Sequence, residues 1–365
     1  MAYLTVYSKR IKKNIKKIDR IMQKHNKKWT LVAKVLGGHK ESLKKILPKC
    51  KDIDNLTGVA DSRLSSLETI KNINSEINTM YIAPPSIKSV DKVVKFADVS
   101  LNSSYSTIKK LNEEAKKQNK IQKIIIMVEL GELREGVLRE NIIEFYEKVF
   151  TLNNIEIIGL GTNLGCMYGV EPTYDKLIQL SLYKEIIEAK FDKHLDIISG
   201  GSSISLPMLS KDKIPPNMNH FRIGEAAFLG TTPLTEGKFK NLSRNTFKFY
   251  SYIVELEEKR SKPQGNLTNA NVGDGLPYNP KENETILRAV LDYGKLDVEN
   301  KHLAPKNPDM KFAGSSSDMS VYNVKQITKK DGNKMYKVGS KVQFNLDYMG
   351  VARLMTSKYI DKRVV

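Results

Sequence analysis

Up to about residue 235 the chain alternates short, β-branched apolar runs with amphipathic stretches. The runs 30–33, 55–59, 79–83, 99–102, 123–129, 156–161, 195–199 and 220–223 are too short for helices and read as buried strands. Between them, 87–96, 105–117, 139–150 and 175–189 carry apolar residues at helical spacing. Eight strand–helix repeats predict an α/β fold, with parallel strands closed into a TIM (β/α)8 barrel. After residue 235 the texture changes. The segments 247–255, 285–291, 311–324, 334–336 and 341–348 read as strands, and helical periodicity largely disappears. Asp331-Gly332-Asn333 is a turn signal, and 266–284, rich in Gly, Pro and Asn, reads as a long loop. The expected division is a barrel domain over 1–235 and a mostly β C-terminal domain over 236–365. Residues 3–7 alternate like a strand and can join the β domain.

Composition narrows the function classes. No apolar run approaches a membrane span, and the N-terminus lacks a basic region followed by an apolar block and a cleavage site. Two cysteines, Cys50 and Cys166, make no disulfide framework. A cytoplasmic location is expected. The net charge of +19, from 60 basic and 41 acidic residues, raises nucleic-acid binding. The basic residues, however, are mostly lysines spread along helical faces, as in 8–17. Aromatic residues do not interleave with them, and no zinc-finger or helix-turn-helix signature appears. The charge therefore reads as solvated surface, and no nucleic-acid, membrane or metal partner is expected.

Candidate chemistry begins at 29–39, WTLVAKVLGGH, where Lys34 follows a buried strand and two glycines follow closely. A lysine there either loses its charge to desolvation or finds a partner. A neutral amine at a pocket floor suits Schiff-base chemistry with an aldehyde cofactor; the alternative is a lysine snorkelling into water. Arg134, Asn163, Ser203 and Arg222 also fall at or just after strand ends, where barrel ligands bind. The run 199–205, SGGSSIS, offers hydroxyls and backbone N–H donors suited to phosphate.

Read together, ADSR at 60–63, Leu101-Asn102, LREG at 133–136, GLGTNLGC at 159–166, SGG at 199–201, RIGE at 222–225, 314–318 and 348–359 resemble the alanine racemase superfamily, closest to its ornithine/lysine racemase branch. The resemblance implies a pyridoxal 5'-phosphate enzyme that interconverts the L and D forms of an amino acid, here ornithine or lysine. It implies that Lys34 carries the cofactor and serves as one acid/base, and that Arg222 faces the pyridine nitrogen. Arg134 then approaches the cofactor phenolic oxygen or the substrate carboxylate, and Asn163 lies beside the ring. Ser202, Ser203 and Gly224 form the phosphate cup, with Tyr359 a further cofactor contact. The plainer readings are a salt bridge of Arg222 to Glu225, an ion pair of Arg134 with Glu132 or Glu135, a loop-capping Asn163, and a turn with a helix cap at the serines. A gapless match over 291–297 puts Lys295 where alanine racemases have their second, partner-subunit acid/base tyrosine; Tyr293 is the alternative. Gly38 stands where that family has a phosphate-holding tyrosine. Ser317 and Asp318 match the segment near the substrate carboxylate. Asp318 or Glu225 is available for a side-chain ammonium, with Gly37, Gly38 and 315–317 leaving room for a longer chain. The resemblance also implies a head-to-tail homodimer. Competing functions are alanine racemisation, decarboxylation of a basic amino acid, and a non-catalytic cofactor carrier.

Overall fold

In the computed structural model, residues 1–47, 53–234, 239–268, 272–275, 285–325 and 335–365 are described. Strand β1 (Tyr3–Val6) leads into helix α1 (Ser8–Lys24). Ile11, Ile15, Ile18 and Met22 share one face of α1 and are buried, while its lysines cover the others. The chain forms two compact units, Lys9–Arg244 and Met1–Ser8 with Asn245–Val365.

The first unit is the barrel. Strands β2 (Lys28–Val32), β3 (Leu56–Asp61), β4 (Thr79–Tyr81), β5 (Val99–Asn102), β6 (Gln122–Met127), β7 (Ile155–Gly161), β8 (Ile197–Ser202) and β9 (His220–Ile223) are parallel and close in that order. Each coincides with one of the eight apolar runs. Helices α2 (Lys40–Ile46), α3 (Leu64–Ile73), α4 (Val90–Phe96), α5 (Tyr105–Lys117), α6 (Ile142–Phe150), α7 (Tyr174–Phe191) and α8 (Leu206–Leu209) supply the crossovers, and α9 (Glu225–Leu229) follows the last strand. Val32, Ala60, Met80, Leu101, Ile125, Met127 and Ile158 form a core contributed by β2 to β7. Each fully buried aliphatic side chain of this kind stabilises by about 2 kcal/mol. Strands β8 and β9 bring Ser199, His220 and Arg222 instead, a polar group that must satisfy itself internally. At the barrel's other end, Asp19 of α1 accepts from the buried Trp29 Nε1 at 2.8 Å and from the Asn55 amide at 3.2 Å, fixing the start of β2 and β3.

The second unit is mostly β. Its strands are β1, β10 (Phe247–Arg260), β11 (Asp274–Gly275), β12 (Thr285–Leu291), β13 (Leu303–Pro305), β14 (Lys311–Ser315), β15 (Ser320–Asn323), β16 (Lys341–Leu346) and β17 (Asp361–Val364). The sheet path runs β11-β14-β15-β12-β10-β1-β17, and β16 pairs with β10 and β13. The long β10 serves two neighbourhoods: 249–252 pair with β16, and 253–260 pair with β12 past a bulge at Ile253/Glu255. Phe249, Tyr293, Tyr322 and Phe344 pack as the aromatic core, with centroids 5.1–5.8 Å apart.

Four sequence expectations change here. The run 311–324 is two strands, because Ser316 turns the chain: its amide donates to Met319 O, and its hydroxyl accepts from the Met319 amide. The run 341–348 stops at Leu346. Asp347 then accepts from the Gly350 amide at 2.7 Å and caps α10 (Tyr348–Thr356), a helix the pattern did not announce. The loop 266–284 contains β11, while 269–271 and 276–284 lie outside the described residues. Tyr336 belongs to no strand, and the 331–333 turn, like Cys50, lies outside the described residues. Among the described residues, no helix is long and apolar enough to cross a membrane.

Candidate active site

Lys34 opens a 3-10 turn just beyond β2, and the Ala33 amide still pairs with Ala60 O at 2.8 Å. The turn needs left-handed backbone at Gly37 (φ 56°) and Gly38 (φ 73°). A Cβ at Gly38 would lie 2.9 Å from Ser66 Oγ, and the left-handed backbone there strains any side chain. The Lys34 side chain is exposed at the carboxyl end of the strand. One strand over, Asp61 ends β3 and is only 1% exposed. Its Oδ1 accepts from the Arg63 amide at 2.9 Å, while Oδ2 has no hydrogen-bond partner. Burial pushes this carboxyl up to about 6, against its amide bonds and the charge of Lys34.

The loops after β6 and β7 are tied together by Glu132. Its buried carboxylate accepts four amides, those of Gly165 (2.8 Å), Cys166 (3.0 Å), Met167 (2.6 Å) and Tyr168 (2.7 Å). These bonds hold its pKa below the usual carboxylate range in spite of burial. They fix the arginine loop against the segment that carries Asn163, a half-buried residue. Arg134 itself pairs with Glu135 and donates to Cys166 Sγ at 2.9 Å, so its ion-pair reading holds for Glu135 and not for Glu132. A group with a depressed folded pKa stabilises above its unfolded pKa, and that contribution is lost as pH falls through the folded value. Glu132→Gln is therefore expected to loosen both loops at neutral pH, and to flatten the wild-type loss of protease resistance in 129–137 and 163–168 below pH 4.5. Equal proteolysis of both proteins across that range would refute the tie.

Arg222, at the end of β9, is buried and points its donors at carbonyls. Nη1 donates to Ser199 O at 2.7 Å and to Ser199 Oγ at 2.5 Å, and Nη2 donates to Thr162 O at 2.7 Å. It makes no salt bridge with Glu225, whose carboxylate accepts from Thr231 Oγ1 at 2.7 Å. Burial, together with the charge of Arg134, pushes the guanidinium down to about 10, opposed by Glu135, and it stays cationic at neutral pH. Behind it, Ser199 Oγ meets His220 Nδ1 at 2.8 Å, and His220 Nε2 meets Thr30 Oγ1 at 2.9 Å. Burial first, and Arg222 second, push His220 down to about 3, so no second cation arises beside the arginine.

In such barrels phosphate is frequently held by the loops after the seventh and eighth strands, here β8 and β9. Ser203 Oγ accepts from the Ala226 amide at 3.1 Å and joins the two loops; Ser202 Oγ accepts from the Ile204 amide at 3.4 Å. The turn-and-cap reading of these serines is thus present in the fold. A Cβ at Gly224 would lie 3.1 Å from Val32 O, and one at Gly201 would lie 2.0 Å from the Phe221 ring. Only small residues let these backbones approach.

The remaining candidates gather in the β unit. The Lys295 amide donates to Ser316 O at 3.0 Å, and the Leu296 amide to Ser317 O at 2.9 Å, which brings Lys295 and the Ser317-Asp318 turn together. Lys295 Nζ is 2.9 Å from Asp274 Oδ1, and Asp318 Oδ1 accepts from the Ser316 and Ser317 hydroxyls. Tyr359 is 77% exposed, and its amide reaches Ser357, whose hydroxyl donates to Asp297 in the turn after Lys295. Tyr293, by contrast, is 1% exposed and its phenol meets Tyr322 Oη at 2.8 Å; it is a core residue of its unit. Sequence reasoning missed Asp61 as a candidate, the tie made by Glu132, and the His220–Ser199 support of Arg222. The last two rest on partners far apart in sequence, and the first on a neighbouring strand, with ADSR the local signal for Asp61.

The profile of the family described as "Alanine racemase, N-terminal domain" matches residues 6–232. The chain is 32% identical to an ornithine racemase of Acetoanaerobium sticklandii over 99% of both proteins. It is 29% identical to a lysine racemase of Thermotoga maritima over 83% of both. Among solved structures, an alanine racemase of Clostridium difficile 630 superposes with a TM-score of 0.72 at 15% identity, covering 100% of this chain and 95% of that one. An alanine racemase of Bartonella henselae, solved with covalently bound pyridoxal phosphate, gives 0.68 at 15% identity, covering 100% and 99%. At such identity these structures establish the fold alone. The profile spans the whole barrel and the first relative spans nearly the whole chain, so this protein belongs to the alanine racemase N-terminal domain family.

Proposed function

We propose that this chain is a pyridoxal 5'-phosphate-dependent racemase of ornithine or lysine. The observation that carries the reading is Arg222, a buried, carbonyl-pinned guanidinium at the end of the eighth barrel strand with a neutral histidine behind it. A guanidinium does not give up its proton, so a ring nitrogen facing it stays unprotonated. That favours simple proton exchange over side reactions. The residues fit the cofactor: Asp61 Oδ2 and Asn102 Oδ1 are buried and unpartnered at strand ends, and Ser203 Oγ joins the loops after β8 and β9, where Gly224 and Ala226 follow the last strand. Lys34 would hold the cofactor, Arg222 its ring nitrogen, Ser202, Ser203 and Gly224 its phosphate, with Asn163 and Tyr359 as further contacts. The chemistry that the bound cofactor supplies is withdrawal of electrons from the substrate Cα, which acidifies the Cα–H.

Lys34 Nζ takes or returns the proton on one face of that carbon, and Lys295 of the partner subunit serves the other. In a head-to-tail homodimer the β unit of one subunit brings this second base to the barrel of the other. Arg134 holds the substrate carboxylate, and the Ser317-Asp318 turn, bonded through its backbone to the Lys295 segment, enters with Lys295 from the partner subunit. Asp318 or Glu225 takes the terminal ammonium. A site built to hydrogen-bond a polar end rejects substrates lacking it, since its own groups would go unpaired. Ornithine or lysine should exceed alanine in kcat/KM by about 100-fold. Measuring α-deuterium exchange over a panel of L- and D-amino acids tests this. Equal activity on alanine would make the chain an alanine racemase.

A further inference from the structure

Among the described residues at the barrel's strand ends, Asp61 is the carboxylate whose burial and chemistry disagree. Its side chain is 1% exposed, yet one carboxylate oxygen has no hydrogen-bond partner. A buried oxygen without a donor costs about 1–3 kcal/mol, more for a charged group. A tolerated cost of that size marks a position kept for something other than packing. The surroundings say what. Asp61 Oδ1 is committed to the Arg63 amide, and the Ser62 amide and the Ser66 hydroxyl of α3 also act on the carboxylate and favour its charged form, against the burial that opposes it. Tyr81, from β4, feels the charge of both Asp61 and Arg63. The cation whose field acts on the carboxyl is Lys34, in the turn one strand away. The two residues are held in step by the backbone: Ala33 N–H bonds Ala60 O at 2.8 Å, and each candidate follows immediately.

We propose that Asp61 is the positioning residue of Lys34: its free Oδ2 accepts a hydrogen bond from the Lys34 ammonium whenever that lysine is released from the cofactor, and so keeps the lysine beside the reacting carbon. The inference rests on the reading of Lys34 as the cofactor lysine. A racemase lysine has two tenures, one bonded to cofactor and one free and protonated. A long flexible ammonium with no anchor would swing into water in the second. A buried carboxylate on the adjacent strand supplies the anchor, and it is out of reach of bulk solvent. Asp61 is not exposed enough to serve a substrate ammonium directly. Near pH 6 and below it loses its charge, and the anchor weakens with it.

The test reads the lysine itself. Full-length protein freed of cofactor is labelled with trace acetic anhydride across a pH series, and the Lys34 peptide is quantified by mass spectrometry. Only the neutral amine reacts, so the curve reports the charge state of Lys34 whether or not cofactor binds. With a contacting anion removed, Asp61→Asn should label about tenfold faster than wild type at any pH below the midpoint, the low end of what a contacting opposite charge does. Asp61→Glu should restore the slower labelling, which a purely structural defect would not do. Asp61→Ser repeats the test should the asparagine variant melt early. Coincident curves for wild type and the neutral variants would overturn the proposal. A separate arm, reduction of the reconstituted protein with borohydride, tells this failure from failure of the wider reading: attachment at Lys34 with coincident curves sinks only the role of Asp61, and a labelling shift without attachment at Lys34 sinks the cofactor assignment.

Discussion

Lys34→Ala is expected to retain its fold and lose racemisation by about 10³-fold or more, because one side chain supplies both the covalent anchor and one acid/base. The fold should survive because the turn at 34–38 is held by backbone. Gly37 N–H bonds Lys34 O, and Ala33 N–H bonds Ala60 O; the exposed amine contributes to neither. Reconstitution with pyridoxal 5'-phosphate should give the free-aldehyde spectrum, without a borohydride-reducible lysine linkage. Circular dichroism and melting temperature should match the wild type. A variant that still forms a reducible linkage at another lysine, with turnover intact, would remove Lys34 from the site.

Lys295→Ala is expected to cost about 10²- to 10⁴-fold in racemisation, the range of a single positioned acid/base, but to spare one half of the chemistry. With one face still served by Lys34, a single enantiomer should continue to exchange its α-proton for deuterium without inversion. Loss of exchange from both enantiomers would show that Lys295 does something else. Tyr293 provides the contrast. Its phenol is buried against Tyr322, and burial, with that neighbour, raises its pKa well above the usual value. Tyr293→Phe should leave turnover within about twofold and cost about 1 kcal/mol in stability, the worth of one hydrogen bond, because the Tyr322 hydroxyl keeps its donation to Asn300 Oδ1. If sites are shared between subunits, mixing the two inactive variants, Lys34→Ala and Lys295→Ala, under conditions of subunit exchange returns part of the activity, since one site of each hybrid is intact. No recovery, with exchange verified, would argue against sharing.

The barrel was legible because its rules are local. A parallel strand buried on both faces is a short apolar run, and a crossover helix is an amphipathic one. The β unit was less legible. Whether 311–324 is one strand or two depends on the hydroxyl of Ser316, and the 14-residue β10 changes partners midway, which no local pattern encodes. The helix α10 went unnoticed because its nine residues include Gly350, a poor helix former. At the site, glycine-rich strand ends advertised Lys34, Arg134, Ser203 and Arg222. What supports them was silent: Glu132 reaches 33 to 36 positions ahead, and Ser199 joins residues 21 and 23 positions on. Such partners meet only once the barrel closes.

The pairing of β1 bears on the order in which the molecule is made. This strand lies between β10 and β17, antiparallel to the first and parallel to the second, and Val365 N–H bonds Val6 O at 2.9 Å. Residues 9–244 can close their barrel on the ribosome as soon as β9 emerges, because domains fold as units while the rest of the chain is still being added. The first strand then waits, exposed and apolar, for neighbours translated more than two hundred positions later. Nascent chains arrested once residue 244 has cleared the ribosome should therefore present a finished barrel with a sticky leading segment, the species a ribosome-bound chaperone would be recruited to shield.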